Sequence, residues 1–501
     1  MQSDVSMMQP INVVWFKRDL RLADHAPLAA ACATERPTLL MYCIEPQWRA
    51  DPHWHEQHAR FIVESLADLN QQLRQQQHRL WVFTGEVVDI LATIHQYWRI
   101  AQLYSHQETG LSWSFERDRA VRCWCDQQQV PWQEFAQHGV QRGQQGRRDW
   151  QRQARDYLYS APISADLNRI VSVDVNAQPE VAQWRVQQLP KAWMTPSPAH
   201  QSGGETAAHA RLGAFLSHHL QRYRGRMSRP YDSRADSSRL SAYLAYGNLS
   251  LRSVMWALQH SSQPAGLKQQ WRKRLFWQSH FIQKFESYSA MELQPLNPAY
   301  VPLLDAFHNG QDAQRLQQLF AAWAQGKTGY PLVDACMRAL LQTGYLNFRM
   351  RAMLVSVGCH HLGLPWPWVA RHLAQQFLDF EPGIHYPQVH MQAGYTGFNT
   401  VRIYNPLQQS LKYDEGARMI DQFVPELKPL PLPLRHQPWA LAPMEAAWFG
   451  FQLGVDYPER CFNHEQTGAA ARDRLWQWRR EPSVQRLVPE LLRNQTEQPQ
   501  S

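Results

Sequence analysis

Cysteine is scarce and scattered in this chain. Its seven thiols, Cys32, Cys43, Cys123, Cys125, Cys336, Cys359 and Cys461, form an odd set with no CxxC pair. That excludes a secreted disulfide framework and a cysteine-held zinc site, and no metal is expected. No apolar run approaches the about 18 residues of a membrane span. Residues 1–10 lack a basic stretch leading into an apolar core, so no signal peptide is expected either. The expected setting is the cytoplasm, without a membrane partner and as a monomer. Charge of one sign is in mild excess: 51 Lys and Arg against 43 Asp and Glu leave +8. A polyanionic partner is compatible with that value but not implied by it. No GxGxxG follows the first strand-like run, which argues against NAD. What the chain has in quantity is tryptophan, 21 residues, suited to packing, stacking or electron transfer.

Short apolar runs alternate with helical stretches from Ile11 onward. INVVWF (Ile11–Phe16), PTLLMYCIE around Leu40, RLWVF ending at Phe83, IAQLYS from Ile100 and PWQEFAQ near Phe135 read as strands. ARFIVESLADLNQQL from Ala59, VVDILATIHQYW from Val87 and SFERDRAVRCWCDQQ from Ser114 read as the helices between them. Right-handed crossovers then give a doubly wound parallel α/β domain over residues 10–145. Periodicity fades over residues 146–204, read as an interdomain linker. Residues 205–480 carry apolar positions at three- and four-residue spacing in segment after segment, which predicts an all-α domain. Residues 481–501 read as a short polar tail.

Three places carry chemistry. In Asp236-Ser237-Ser238-Arg239-Leu240-Ser241, three hydroxyls and a guanidinium gather at a predicted helix start. They suit either a helix N-cap or an anion site. Gly326-Lys327-Thr328-Gly329 lacks the P-loop spacing and a leading strand, so it reads as a tight turn into a helix. Arg349 and Arg351 share a helix, while Asp379 and Glu381 follow another; buried Asp and Arg of this kind usually pair.

Taken in order, WFKRDLRLADHAPL, SSRLSAYLAYGNLS, GKTGYPLVDACMRAL, RMR, DFE and RIYNP resemble the photolyase/cryptochrome family from about Ile11 to Arg480. The resemblance implies an α/β domain able to hold an antenna chromophore of folate or deazaflavin type, and an all-α FAD-binding domain. It implies blue-light-driven electron transfer from reduced flavin that repairs pyrimidine dimers in UV-damaged DNA. The alternative it carries is a photoreceptor without repair activity. It places Tyr223, Ser237, Ser238, Arg239, Leu240 and Ser241 around the FAD phosphates. Arg351 and Asp379 fall beside the isoalloxazine, Glu381 where a second Asp is usual, and His385 opposite the flavin N5. An imidazole at that last position could donate, accept or change charge.

The sequence also departs from the family pattern. The lesion-contacting stretch, usually W-R-E-F, is Trp277-Gln278-Ser279-His280, leaving His280 or Glu286 to replace the missing carboxylate. Phe348 stands in place of Asn before Arg349. Arg226, Arg229, Lys273 and Arg274 are candidate DNA phosphate contacts, with Trp277, Gln278, His280 and Arg349 toward the lesion. Trp366 aligns with the middle of the electron-relay tryptophans; the inner position falls at Val389 and the outer near Asp312. Tyr386, Tyr395, Trp368 and Trp323 are the candidates for another path. A folate-contacting Glu is matched loosely by Glu116, with Phe115 in place of its Asn neighbour.

Overall fold

The computed structural model describes residues 10–143, 147 and 149–495. Five strands, β1 (Ile11–Phe16), β2 (Pro37–Ile44), β3 (Leu80–Thr84), β4 (Ile100–His106) and β5 (Trp132–Phe135), pair in parallel in the order β3-β2-β1-β4-β5. Helices cover both faces, which is why β1 is a continuous buried apolar run. Its side chains divide between the faces with the two-residue period of a strand. Val13 and Trp15 pack with Met41, Ile90 and Val121 on one side. Val14 and Phe16 pack with Leu40, Phe61 and Leu69 on the other, in a core that continues into Leu240, Tyr243, Tyr246 and Val254. The doubly wound sheet and the helical half that follows it, as predicted, therefore share one hydrophobic core.

The WFKRDLRL segment ties this joint. Arg18 donates to the carbonyls of Ala245 (3.0 Å) and Phe380 (2.9 Å), and Arg21 donates to that of Gly247 (3.0 Å). Gly247 has φ +71°, and a Cβ there would meet the Arg18 carbonyl at 2.3 Å, so close approach of the two segments requires glycine. Asp19, fully buried, accepts from His25 Nε2 (2.9 Å), His106 Nδ1 (2.7 Å) and the Lys17 amide (2.6 Å).

Two expectations need correction. Of the segment read as an interdomain linker, residues 149–204 are packed onto the two halves. Trp150–Tyr159 is a helix with Trp150 fully buried, and β6 (Val171–Ser172) pairs with β2. The helix buries Trp150, Ala154 and Leu158 at four-residue spacing, a period the sequence reading overlooked, while the later anchors Ile170, Val175, Val181 and Trp193 are irregularly spaced. Nor is the end of the described chain a polar tail: Pro482–Gln495 is helical, buries Val484, and Arg147 donates to the Gln495 carbonyl (3.1 Å).

The Gly326–Gly329 turn behaves as read. Buried Asp334 accepts from the Thr328 amide (2.8 Å), the Thr328 hydroxyl (2.6 Å) and the Gly329 amide (3.0 Å), closing the turn onto the helix Pro331–Thr343. Among the described residues no helix is long and apolar enough to cross a membrane.

Candidate cofactor site

A cavity of about 310 Å³ opens in the helical half. Its wall brings together Tyr223, Ser237, Ser238, Arg239, Ser241, Arg351, Asp379, Glu381, His385 and Gln278, residues up to 162 positions apart in the chain. The Ser237–Ser241 segment does not work as an N-cap: the following helix, Ser241–Ala245, starts at Leu240 with no side-chain cap. Instead its carbonyls are tied down from behind. Arg211 Nε donates to the Ser238 carbonyl (2.8 Å) and Gln201 to that of Arg239 (2.7 Å). Arg239 takes a left-handed φ of 56°, and its guanidinium lies 3.8 Å over the Tyr345 ring, whose hydroxyl meets Ser237 Oγ at 2.7 Å.

At the other end Arg351 Nη2 donates to Asp379 Oδ2 at 2.8 Å. Burial alone would raise the Asp379 pKa; the Arg351 charge and hydrogen bond outweigh it and hold the carboxyl below its ordinary value. Glu381 differs. Arg18 Nη2 lies 3.1 Å from its Oε2, yet burial keeps its pKa raised. His385 is neutral: burial lowers its pKa to about 3, and its Nε2 donates to the Ala370 carbonyl at 2.9 Å. Of the options open to an imidazole there, the structure leaves Nδ1 as acceptor.

Several expected site residues lie elsewhere. Leu240 is buried in the shared core and does not line the cavity. His280 turns away from it: Arg147 Nη2 donates to its Nδ1 (3.1 Å), and its ring packs edge-on against Trp150. Burial, then the Arg147 and Lys284 charges, push its pKa down to about 3. It is a half-buried histidine held against Arg147 and Trp150. Glu286 accepts from Thr109 and faces Arg142 (3.4 Å), so it does not supply the missing carboxylate either. Trp277 is outside the cavity and 51% exposed, with Arg274 over its ring. Arg349 lies over Tyr413 (4.3 Å), and Arg226 pairs with Asp236 (2.7 Å). Trp366 is buried behind the wall against His390 (4.6 Å) and Tyr386 (6.5 Å). Val389 lines the cavity, and Asp312 is the N-cap of Ala313–Ala324.

Sequence reading missed Tyr345, Asn347, Phe348, Gln388 and Gln392 as wall residues. One signal was available: Gly344 (φ +65°) ends a helix and Asn347 caps the next, so the short turn between them presents Tyr345.

A second cavity, of about 100 Å³, lies at the carboxyl ends of β1, β2 and β4, where the strand order reverses and α/β sheets bind ligands. Trp15, Trp48, Trp54, Trp113, Lys17, Glu45, Glu108 and Arg117 face it, along with Tyr246 and Phe380 of the helical half. Glu116 and Phe115 are not in its wall.

Fold and cavities together define a two-part protein whose helical half houses a large cofactor site. Residues 12–152 match the DNA photolyase family, and residues 271–477 match the FAD binding domain of DNA photolyase. The chain is 28% identical to a cryptochrome DASH of Synechocystis sp. over 92% of its length and 97% of the relative's. It is 27% identical to a deoxyribodipyrimidine photo-lyase of Vibrio cholerae over 91% and 97%. A solved Synechocystis cryptochrome superposes with a TM-score of 0.79 at 25% identity, covering 93% of this chain and 99% of that one. The chain belongs to the photolyase/cryptochrome family, and its cofactor is FAD. The wall fits such a guest: Asp379 Oδ1, Arg239 Nε and Gln388 Oε1 are buried without a hydrogen-bond partner. Each such group costs about 1–3 kcal/mol if left so.

Proposed function

We propose that this protein is a light-driven DNA photolyase that repairs pyrimidine dimers, working as a cytoplasmic monomer. The observation that carries the reading is the cavity wall with its unpartnered polar atoms and its Arg351–Asp379 pair. When bound, FAD supplies light absorption and one-electron donation. Ser237, Ser238, Ser241 and Arg239 would hold the phosphates by hydroxyl and guanidinium donors. Arg351 keeps a positive charge, stabilised by Asp379, where negative charge on the ring system is to be favoured. His385, held neutral with Nε2 on the Ala370 carbonyl, offers an acceptor and no positive charge.

Recognition of damage would fall to the rim. Phe348, a cavity residue 52% exposed, and Trp277 present aromatic faces on which an extruded base can stack. One observation favours the photoreceptor reading: the carboxylates in the wall, Asp379 and Glu381, are committed to Arg351 and Arg18, so none there is free to hold a flipped base pair. A light-dependent repair assay on two defined dimers decides. Return of intact bases on either lesion supports the photolyase. Photoreduction of flavin with no repair of either overturns it in favour of the photoreceptor.

A further inference from the structure

Behind the flavin cavity, a tyrosine from the helical half meets a histidine from the sheet half. Tyr386, on the helix Pro382–Ala393 and 2% exposed, places its hydroxyl 2.5 Å from His53 Nε2. His53 Nδ1 in turn lies 2.7 Å from Asp51 Oδ1. A neutral imidazole has one N–H, and the carboxylate takes it, so Nε2 faces the phenol as a bare acceptor. The phenol is the donor. Phe380 stacks on the His53 ring (5.5 Å, 7° between planes) and lines both cavities, while the next residue along from Tyr386, His385, lines the flavin cavity with its ring 5.4 Å from that of Tyr386. Trp366 approaches the same tyrosine from the far side at 6.5 Å.

Resting on the FAD reading above, we infer that Tyr386 is a proton-coupled electron donor to the light-excited oxidised flavin. Tyr386 gives one electron, and its O–H bond breaks with the proton passing to His53 Nε2. The products are a neutral tyrosyl radical, an imidazolium paired with Asp51, and flavin reduced by one electron. Burial holds the phenol pKa well above its ordinary value, so the hydroxyl keeps its proton until oxidation. Oxidation makes a phenol strongly acidic, and without an adjacent base the proton could not leave so dry a site. His53 is that base, and Asp51 is a positioning residue. This arrangement supplies a donor where the inner relay position implied by the family resemblance falls at Val389, a cavity-lining aliphatic residue.

The test is flash excitation of the FAD-loaded full chain, grown with ring-deuterated tyrosine, followed by electron paramagnetic resonance and transient absorption. The parent should give a tyrosyl radical whose line shape changes with deuteration and whose formation slows in D₂O. Tyr386→Phe, which keeps the ring, should lose that signal and slow photoreduction by about tenfold or more at equal FAD content and melting temperature. His53→Gln should slow it with the phenol still present, and Asp51→Asn should weaken the deuterium effect. In flavin-free protein, the ¹⁵N resonance of His53 Nε2 should move when Tyr386 becomes Phe, reporting the hydrogen bond alone. An unchanged radical and rate in Tyr386→Phe overturns the inference, as does a parent that holds FAD yet is not photoreduced. A tyrosyl radical in a protein that repairs no dimer sinks the photolyase reading and leaves this donor standing. A parent that holds no FAD sinks both.

Discussion

The cavity in the helical half and the smaller one between the halves are both walled by charged and aromatic side chains, but their polar atoms are engaged differently. Around the smaller cavity, charges of the sheet half answer one another. Arg117 reaches Glu45 (3.1 Å), Glu108 (2.8 Å) and Asp118 (2.8 Å), and Lys17 reaches Asp118 (3.1 Å), all with side chains under a tenth exposed. In the wall of the larger cavity two ion pairs, Arg351–Asp379 and Arg18–Glu381, stand beside buried atoms with no partner. The Arg117 network lies wholly within the sheet half and fixes one wall of the smaller cavity. Buried polar atoms without partners occur in both walls, Glu45 Oε1, Trp54 Nε1 and Trp113 Nε1 in the smaller one. What separates the two sites is one guanidinium shared by three carboxylates against two separate ion pairs.

Asp379→Ala should break the comparison most. It removes the partner of Arg351 and should cost FAD retention together with about 3–5 kcal/mol of stability. Flavin-to-protein ratio and thermal melting check both; an unchanged ratio would show that the pair does not serve the cofactor. Arg117→Met should cost a similar amount of stability by leaving three buried carboxylates around a missing cation, but the flavin ratio should stay at the parent value. Loss of flavin in that variant would mean that the two cavities are not separable.

Glu45 sharpens the contrast through pH. Burial, only partly offset by Arg117, pushes its pKa up to about 7. The folded state therefore holds this proton more tightly than the unfolded chain, whose pKa is about 4.3. Between those values stability is lost as pH rises, by about 1.4 kcal/mol per unit and up to roughly 4 kcal/mol in all. Glu45→Gln removes the loss, so the stability of the variant relative to the parent should climb from pH 5 to pH 8 in denaturant titrations. A constant difference would place the Glu45 pKa in the ordinary range.

What could be read from the sequence was what local pattern encodes. Strand β1 was legible because a parallel strand buried on both faces is an unbroken apolar run, and the Ser237–Ser241 and Arg351–Asp379 groups were legible as motif residues. His280 was placed in the lesion wall because the family resemblance assigns its whole stretch to lesion contact, although the same stretch reads as a helix. At 3.6 residues per turn Gln278 and His280 point about 200° apart, so one lines the cavity and the other meets Arg147. The helix Pro482–Gln495 was hidden by its polar face, although Val484, Leu487 and Leu491 share a stripe. The Tyr386–His53 pair spans 333 positions, a separation at which no spacing rule operates.

The smallest effects expected concern DNA, and they separate stacking from charge. Trp277→Ala removes an exposed ring next in the chain to the cavity-lining Gln278 and should cost about 1–3 kcal/mol of affinity, mostly on lesion-bearing duplex, where an unpaired base can stack. Arg226 should matter less and without selectivity. Its Nη1 is engaged by Asp236 at 2.7 Å, and the same carboxylate also faces Arg222 (3.2 Å) and His219 (3.0 Å). Two guanidiniums on one carboxylate leave an excess positive charge, half exposed at Arg226, available to a phosphate. Arg226→Ala removes that excess while Arg222 keeps Asp236 paired. Affinity should then fall equally for intact and damaged duplex, and the slope of log K against log salt should drop by at most about one unit. Matched duplexes titrated over a salt series measure both variants. Damage-selective loss in Arg226→Ala, or equal loss on both duplexes in Trp277→Ala, would reverse these assignments and move the recognition surface from the aromatic rim to the Asp236 cluster.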